Sequence, residues 1–290
     1  MADPSISAED FAATVQRLRA HRGRPVVVKL GGSAMEDPAA TDACLKSVAT
    51  LNALGVPVVL VHGGGKPIDR AMADAGIIPR KVAGRRYTDD ATLAIVVRVL
   101  HGLNRDLVAR LERLGTNATG YNEAGSFPVT GERLVLSEGG EPVDLGRVGR
   151  PTQVRVTAFA SEIGSCGHVP VVPSLAVDGA GGWLNVNADT AASAVAGTLK
   201  AEKAVFLTDT PGVLRDRANP GSLVSSLTER EARHLIASGV IDGGMVPKVE
   251  ACFEALAAGA TAALILDGRV PYSLLDVFLK DTFKGTVIRR

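Results

Sequence analysis

Short aliphatic runs alternate along the chain with longer stretches whose apolar residues recur at helical spacing. The runs end in glycine or polar residues and cover positions 25–30, 56–61, 169–172, 204–207 and 262–266. A short, continuous apolar run is typical of a strand buried on both faces, and a helical pattern at 37–54 separates the first two runs. This alternation predicts an α/β fold with an open, mostly parallel central sheet sandwiched between helices.

Segments outside this alternation predict further parts of the chain. Positions 7–10 resemble a helix-capping box, and Phe11, Val15 and Leu18 share one face of the helix that would follow. Positions 134–153 hold four glycines and two prolines, which favours hairpins protruding from the sheet. We expect an N-terminal amphipathic helix within 1–24, packed on its own domain or between subunits, and two lobes at 25–180 and 181–290.

Composition narrows the class of protein. The 290 residues are 46% hydrophobic but only 4% aromatic, so the core must be aliphatic, as in a sheet covered by helices. Lysine and arginine total 32 against 31 acidic residues, and this net charge of +1 excludes a globally basic nucleic-acid-binding protein. A local cationic site for a small anion is compatible with the same balance.

Cysteine usage and the lengths of the apolar runs indicate a cytoplasmic protein without a membrane partner. The three cysteines, Cys44, Cys166 and Cys252, are too scattered for a closed disulfide framework or a metal-ligand pattern. The first 24 residues lack the apolar core of a secretory signal. No run approaches the roughly 20 residues that span a bilayer.

Two glycine-rich turns follow the first two predicted strands. Lys29 lies in an otherwise apolar strand that ends at Gly31 and Gly32, and burial of an unpaired ammonium is costly. The second strand ends in His62 and three glycines, and a helical pattern starts at Ile68. Glycine N–H groups and a helix N-terminus suit a phosphate. A lysine at an ordinary strand end and a plain tight turn are the alternatives.

Neither turn fits the common nucleotide-binding motifs. Leu60 and Pro67 occupy the positions at which a P-loop needs glycine and Ser or Thr, and the sequence has no GxGxxG. The five histidines are scattered, and HExxH, CxxC and GxSxG do not occur. Zinc chemistry and Ser–His hydrolysis therefore lack support.

Three later segments add charged and polar side chains. Arg86 could clamp a carboxylate with two hydrogen bonds, and Asn185 could hold a neighbouring polar group. Asp189 could pair with Lys29 and Lys248 and hold both ammonium groups in position. Each segment also has a purely structural explanation: a surface arginine, a helix cap and an ordinary helix start, respectively. The occurrence of all three segments in one chain favours a ligand-binding site.

Six segments, in order along the chain, resemble the amino acid kinase family. They are VVVKLGGSAM (26–35), VVLVHGGGKPID (58–69), AGRRYTD (83–89), LNVNADTAA (184–192), EKAVFLTDTPGVL (202–214) and GGMVPKVEA (243–251). HGGG, GRRYT and LNVNAD are similar to the branch that phosphorylates N-acetyl-L-glutamate. The resemblance implies phosphoryl transfer from ATP, with Mg²⁺, to the γ-carboxylate of that substrate in arginine biosynthesis.

The resemblance also implies a role for each matching residue. The implied catalytic residues are Lys29, Lys248 and Asp189, with the carboxylate orienting two lysines that stabilise the transferring group. The implied substrate-binding residues are Gly64, Gly65, Arg86 and Asn185. The implied nucleotide-binding residues are Gly31, Gly32, Thr208, Asp209 and Gly212. Mg²⁺ would be bound through ATP phosphates, so we assign no protein metal ligand, and lobe 25–180 would bind the amino acid and 181–290 the nucleotide.

Regulation by arginine is a separate hypothesis. Arginine-inhibited members of the family carry an N-terminal helix and a C-terminal stretch with a histidine, an acidic residue and Gly-x-Gly-Thr. In this sequence Pro271 or Tyr272 stands where the histidine would be, and FKGT at 283–286 breaks the glycine pair. Feedback inhibition by L-arginine and a homo-oligomer, either a dimer or a hexamer joined by the N-terminal helix, are hypotheses.

Other functions fit parts of the pattern. A carrier-linked aminoadipate or glutamate kinase of lysine biosynthesis would use the same chemistry, with room for a carrier around Arg85 and Arg86. A non-catalytic sensor of amino acids or nucleotides would not need two lysines and a carboxylate. A nucleotide-dependent dehydrogenase would need the GxGxxG and the acidic ribose partner that this sequence lacks.

Overall fold

The computed structural model describes residues 7–82, 84–138, 141–165 and 167–290. Its helices are α1 (Ala8–Arg19), α2 (Gly32–Glu36), α3 (Pro38–Ala53), α4 (Gly65–Asp74), α5 (Asp90–Arg113), α6 (Val156–Ser165), α7 (Ala188–Thr198), α8 (Glu229–Ala237), α9 (Val246–Ala258) and α10 (Ser273–Leu279). Its strands are β1 (Val26–Leu30), β2 (Val58–His62), β3 (Lys81–Val82), β4 (Arg85–Arg86), β5 (Ala118–Gly120), β6 (Val129–Arg133), β7 (Leu136–Glu138), β8 (Glu141–Val143), β9 (Val148–Val154), β10 (Val169–Pro173), β11 (Leu175–Val177), β12 (Trp183–Val186), β13 (Lys203–Thr208), β14 (Ser226–Thr228), β15 (Ala262–Asp267) and β16 (Thr286–Arg289).

A central sheet of eight strands runs through the molecule in the order β14-β16-β15-β13-β1-β2-β10-β5. Neighbouring strands are parallel except for β15 and β16, which are antiparallel. Val27 packs with Val59 on one face of the sheet, while Val26 and Val28 pack on the other with Leu60. Because successive side chains of a strand point to opposite faces, a strand covered on both sides must be apolar throughout. The predicted open, mostly parallel sheet between helices is confirmed.

The five aliphatic runs are strands β1, β2, β10, β13 and β15, with ends shifted by at most two residues. The helical pattern after β1 is α3. The Asp37 side chain accepts hydrogen bonds from the N–H groups of Ala39 and Ala40, and Pro38 occupies the first helical position. Both features stabilise a helix start because they use or remove N–H groups that have no partner within the helix.

A four-stranded closed barrel of β6, β9, β11 and β12 packs beside the sheet. β7 and β8 pair as a hairpin within the segment for which hairpins are predicted. A Cβ atom on Gly149 in β9 would lie 2.7 Å from the Leu184 side chain, so this close strand contact requires glycine. Three strands of the barrel lie before position 180, whereas β12 lies after it. The division into lobes 25–180 and 181–290 stays a prediction.

The N-terminal helix α1 packs on its own chain through its C-terminal half. The Ser7 side chain caps it by accepting a 3.0 Å hydrogen bond from the N–H of Asp10. Leu18 is buried, and Arg17 Nη1 donates a 2.8 Å hydrogen bond to the carbonyl oxygen of Leu279. Phe11, on the same predicted face, is 58% exposed. The contact with its own domain is therefore found for one half of the helix only.

The described cysteines are buried free thiols. Burial raises the pKa of the Cys44 thiol to about 12 and raises that of Cys252 well above its usual value. Both thiols are unreactive for this reason, whereas Cys166 lies outside the described residues. In the described ranges, no helix has the length and apolar character needed to cross a membrane.

Candidate active site

The carboxyl ends of β1, β2 and β10 open onto a cavity of about 320 Å³. The register pairs Leu30 with His62 and His62 with Pro173, so the three strands end side by side. The β3–β4 hairpin and the segment that joins β12 to α7 also line the cavity. Ligands of open α/β sheets bind beyond the carboxyl ends of the strands, which makes this cavity a candidate site.

A buried ion pair lies in this cavity. Lys29 Nζ is 2.8 Å from Asp189 Oδ1, and only 9% and 10% of the two side chains are exposed. Asp189 is in the first turn of α7, and its N–H donates a 2.8 Å hydrogen bond to Asn187 Oδ1. Each of the two buried charges is therefore compensated by the other.

The turn Gly63–Gly65 lines the same cavity. The N–H of Gly63 donates to the carbonyl oxygen of Leu30, whereas α4 begins at Gly65 without a side-chain cap. A Cβ atom on Gly64 would lie 2.9 Å from the Leu100 side chain, so helix α5 approaches this turn closely. An uncapped helix start lined by glycine is a site for an anion.

Arg86 on β4 is held with its guanidinium in the cavity wall. Its Nη1 lies 2.6 Å from Asp69 Oδ1 and 3.1 Å from Met72 Sδ, and its Nη2 lies 3.4 Å from the carbonyl oxygen of Gly65. The Arg86 side chain is 15% exposed. These contacts fix the position of the guanidinium beside the glycine turn, where it can bind a carboxylate.

A chain of hydrogen bonds joins Asn185 to the backbone of Arg86. Asn185 Nδ2 donates to Thr88 Oγ1 at 3.0 Å, and Thr88 Oγ1 donates to the carbonyl oxygen of Arg86, also at 3.0 Å. Thr88 is fully buried. The amide of Asn185 and the arginine therefore have a fixed relative position across the cavity.

A second cavity, of about 490 Å³, follows the end of the neighbouring strand β13. Its polar lining includes Lys248, Arg217 and Asp209, and its apolar lining includes Val213 and Ile241. Thr210, which also lines it, has a buried Oγ1 with no hydrogen-bond partner among the described residues. Cations and an unpaired hydroxyl at one part, with aliphatic side chains at another, suit a ligand with both phosphate and an apolar ring.

The structure divides the residues singled out from the sequence between the two cavities. Seven of them line the 320 Å³ cavity: Lys29, Gly31, Gly64, Gly65, Arg86, Asn185 and Asp189. Asp209, Gly212 and Lys248 line the 490 Å³ cavity. Thr208 is buried at the end of β13, where its Oγ1 donates to Asp209 Oδ1, and Gly32 is the first residue of α2.

For Gly31 and Lys248 the structure shows a placement, while their expected roles stay predictions. Gly31, for which nucleotide binding is expected, lines the cavity of Lys29, because β1 ends next to β2. The expected pairing of Asp189 with both lysines is only half present. Among the described residues Asp189 pairs with Lys29, whereas Lys248 lies at the start of α9 in the other cavity.

Sequence reasoning missed further residues that line the cavities. Lys81, on the β3–β4 hairpin, adds a positive charge to the first cavity, and Ser174 follows the end of β10. The position of Ser174 directly after a buried strand was a signal that could have identified it. Lys81 carried no such signal, because hairpin strands of two residues leave no pattern in the sequence.

The comparisons with known proteins agree with this architecture. The model of the amino acid kinase family matches residues 24–267, which is most of the chain. A solved N-acetylglutamate synthase from Neisseria gonorrhoeae, in complex with coenzyme A and N-acetyl-glutamate, superimposes with a TM-score of 0.84 at 24% identity. The match covers 99% of this chain and 64% of that longer one, and at this identity it supports the fold alone.

The chain belongs to the amino acid kinase family, and the protein is a kinase. It is 40% identical over 269 residues to the acetylglutamate kinase of Trichodesmium erythraeum (strain IMS101). This alignment covers 92% of this chain and 89% of the relative. It is 38% identical to the acetylglutamate kinase of Pelotomaculum thermopropionicum (strain DSM 13744 / JCM 10971 / SI) over the full length of both chains.

Proposed function

We propose that this chain transfers the γ-phosphoryl group of ATP to the γ-carboxylate of N-acetyl-L-glutamate, as in arginine biosynthesis, giving an acyl phosphate and ADP. The observation that carries the proposal is the buried Lys29–Asp189 pair in a cavity that also holds the Gly63–Gly65 turn, Arg86 and Asn185. The acetylglutamate kinases named above, about 40% identical over nearly the whole chain, support the same substrate.

Arg86, Asn185 and the glycine turn bind the acceptor in this proposal. N-acetyl-L-glutamate carries two carboxylates and an amide. The guanidinium of Arg86 binds one carboxylate, Asn185 binds a neighbouring polar group, and Gly64 and Gly65 lie beside the reacting end. Because the γ-carboxylate is already ionised at neutral pH, the reaction needs no general base to form the nucleophile. The absence of a catalytic histidine from the assigned residues follows from this chemistry.

Lys29 and Lys248 stabilise the transferring phosphoryl group in this proposal. The barrier arises from bringing two anions together and from charge that spreads over the phosphoryl oxygens. Positioned ammonium groups and glycine N–H groups lower it most effectively when they are fixed before the reaction. Asp189 holds Lys29 in place, and Lys248 contributes its charge from the neighbouring cavity.

The cavity of about 490 Å³ fits a nucleotide. Gly212 and Thr210 line it beside Lys248, and its aliphatic side chains suit an adenine ring. Gly31, Gly32, Thr208 and Asp209 complete the proposed nucleotide contacts. In the described part of the chain no group of three His, Cys, Asp or Glu side chains could hold a metal ion. Mg²⁺, which neutralises phosphate charge, would be held mainly by ATP, because this ion keeps several waters and usually binds through substrate phosphates.

The experiment that tests the proposed function traps the acyl phosphate with hydroxylamine. Purified protein is incubated with ATP, Mg²⁺ and one acceptor at a time: N-acetyl-L-glutamate, glutamate, aspartate, or glutamate and aminoadipate linked to a carrier protein. We expect hydroxamate with N-acetyl-L-glutamate alone. Hydroxamate with the carrier-linked acceptors would assign the lysine-route activity instead, and none with any acceptor would contradict a kinase of these substrates.

Feedback inhibition by L-arginine and assembly through α1 are further parts of the proposal. The C-terminal stretch around α10 forms a cavity lined by Asp267, Ser273, Asp276 and Lys280, a mixture of charges that suits an amino acid. A titration of the hydroxamate assay with L-arginine tests this part, and full activity in millimolar L-arginine would contradict it. We place the protein in the cytoplasm, because its described cysteines are free thiols, as is usual in a reducing compartment.

A further inference from the structure

A buried chain of polar side chains lies beneath the Gly63–Gly65 turn. His62, the last residue of β2, is fully buried, and its Nδ1 lies 3.1 Å from the carbonyl oxygen of Gly63. Asn104 of α5, also fully buried, has its Nδ2 3.1 Å from His62 Nε2 and 2.8 Å from the carbonyl oxygen of Val171. Asn122 Nδ2 donates a 3.0 Å hydrogen bond to Asn104 Oδ1.

These contacts fix which imidazole nitrogen carries the proton. The carbonyl oxygens of Gly63 and Val171 can only accept hydrogen bonds. His62 Nδ1 must therefore be an N–H donor, and the Asn104 atom beside Val171 must be the amide nitrogen. Its second hydrogen points to His62 Nε2, which accepts it. Burial also lowers the pKa of His62 to about 4, against the hydrogen bond to Gly63, so the ring is neutral near pH 7.

The hydrogen bond to Gly63 sets the direction of the next N–H group. In a trans peptide the carbonyl of one residue and the N–H of the next point in opposite directions. The Gly63 carbonyl points to the buried imidazole, so the N–H of Gly64 points away from it, on the side of the cavity that Gly64 lines. A β-carbon at Gly120 would lie 2.3 Å from Asn104 Oδ1, so β5 approaches Asn104 closely at this point.

We propose that His62, held as its Nδ1–H tautomer by Asn104, is a positioning residue that aims the N–H of Gly64 at the anion in the cavity. It touches no substrate and acts only through the Gly63–Gly64 peptide. This inference rests on the proposed function. It adds a residue that takes no direct part in phosphoryl transfer but orients a group that does. Loss of the outer partners that orient metal-binding side chains costs roughly 10- to 100-fold in affinity or activity, and we expect a loss of the same order here.

Two substitutions of His62 separate this role from simple packing. In His62→Asn the amide nitrogen reaches the place of Nδ1 and can still donate to Gly63, but the contact with Asn104 is lost. In His62→Gln the longer side chain reaches the place of Nε2 and keeps the contact with Asn104, but the donor to Gly63 is lost. Both remove the ring. We expect kcat/KM in the hydroxamate assay to stay within about 3-fold of wild type for His62→Asn and to fall about 10- to 100-fold for His62→Gln.

Leu111→Ala supplies the control for stability. Leu111 is fully buried two turns further along α5, away from both cavities, so its truncation destabilises the protein without touching the turn. All three variants are compared per folded molecule, with the free energy of unfolding measured in urea. The proposal would be overturned if kcat/KM fell equally in the two His62 variants. It would also be overturned if the fall in kcat/KM merely followed the free energy of unfolding, as in Leu111→Ala.

The tautomer can be measured without any activity. In wild-type protein labelled with ¹⁵N-histidine, long-range ¹H–¹⁵N correlation spectra distinguish a proton on Nδ1 from one on Nε2. We expect the Nδ1–H form for His62, assigned by its loss in His62→Gln, and its replacement by another form in Asn104→Ala. An Nε2–H ring in the wild type would overturn the proposal, even if the protein phosphorylated N-acetyl-L-glutamate. A protein with the Nδ1–H form but no hydroxamate product would instead contradict the proposed function.

Discussion

At the scale of single residues, the two lysines of the proposed site differ in what holds them. Lys29 is buried against Asp189, whereas Lys248 has no ion pair among the described residues and is half-buried at a cavity wall. Removal of one member of a buried pair leaves the other charge unpaired and is costly. Removal of a half-buried lysine without such a partner changes the free energy of unfolding little. The same catalytic assignment therefore predicts different effects of the two residues on stability.

We expect Lys29→Ala and Lys248→Ala each to lower kcat by about 10²–10³, the cost of removing one fixed charged donor. Lys29→Ala should also lower the free energy of unfolding, by about 3 kcal/mol, because Asp189 is left buried without its cation. Lys248→Ala should leave it nearly unchanged. Steady-state kinetics and urea unfolding measure both quantities, and normal turnover in either variant removes that lysine from the mechanism.

Arg86→Ala should mainly raise KM for N-acetyl-L-glutamate, since a clamp on a non-reacting carboxylate acts alike on the substrate and the transition state. Arg110→Ala is a matched control. Arg110 is 18% exposed, close to the 15% of Arg86, and is also paired with an aspartate, Asp42, but it lines neither cavity. An unchanged KM in Arg86→Ala, or an equal rise in the control, would contradict the assignment.

The depressed pKa of His62 predicts an acid-sensitive fold. Burial lowers this pKa to about 4, with a smaller contribution in the same direction from His101 on α5. An unfolded histidine has a pKa near 6.5, so between pH 6.5 and 4 the unfolded chain binds a proton that the folded chain does not. The free energy of unfolding should thus fall by about 3 kcal/mol across this window. Urea unfolding at pH 7 and pH 5 should show a smaller fall for His62→Gln, and equal falls would contradict the prediction.

At the scale of elements, helix starts carry much of the proposed chemistry. Helix α4 begins at Gly65 beside the cavity, and α7 places Asp189 in its first turn behind the cap of Asn187. Strand ends bring these starts together, because parallel strands end at one edge of the sheet. A helix start can hold a functional side chain only when its own N–H groups are satisfied or point at a ligand.

We expect Asn187→Ala to destabilise α7 by about 1 kcal/mol, the usual cost of a lost N-cap, and also to lower kcat by misplacing Asp189. Thr228→Ala is the matched control, because Thr228 caps α8 in a capping box and lines neither cavity. It should cost similar stability and leave kcat unchanged. Unfolding and kinetics of both variants test this, and equal kcat values in the two would remove the positioning role of the cap.

At the scale of the whole molecule, α1 has one half packed on its own chain and one half exposed. Leu18 is 2% exposed and Phe11 is 58% exposed on the same helix. An exposed aromatic residue on an amphipathic helix is a candidate contact with a second copy of the chain. This is the contact that assembly through α1 requires.

If α1 joins subunits, Phe11→Ala should reduce the mass measured by light scattering without lowering the free energy of unfolding of the subunit. Leu18→Ala should instead lower that free energy by roughly 2–5 kcal/mol, because it leaves a cavity in the core. Deletion of 1–19 should abolish the larger assembly. An unchanged mass in Phe11→Ala and in the deletion would contradict assembly through this helix.

The pattern of the sequence determined the buried strands and the residues that end them. A strand covered on both faces must be aliphatic throughout, so five of the eight sheet strands were readable without any long-range information. The turns Gly31–Gly32 and Gly63–Gly65 followed from their place after those strands. Short strands such as β3 and β4 were not readable, because two residues cannot establish a period.

Only the tertiary structure decided which of these groups face one another. Sequence spacing does not determine the distance between Asp189 and a lysine 59 or 160 positions away, and the structure pairs it with the more distant Lys29 rather than with Lys248. It likewise brings Asn104 under His62, where a hydrogen bond across 42 positions fixes the proton on one ring nitrogen. Hydrophobic periodicity is a local property of the chain, whereas ion pairs and tautomers depend on contacts that form only when distant elements pack.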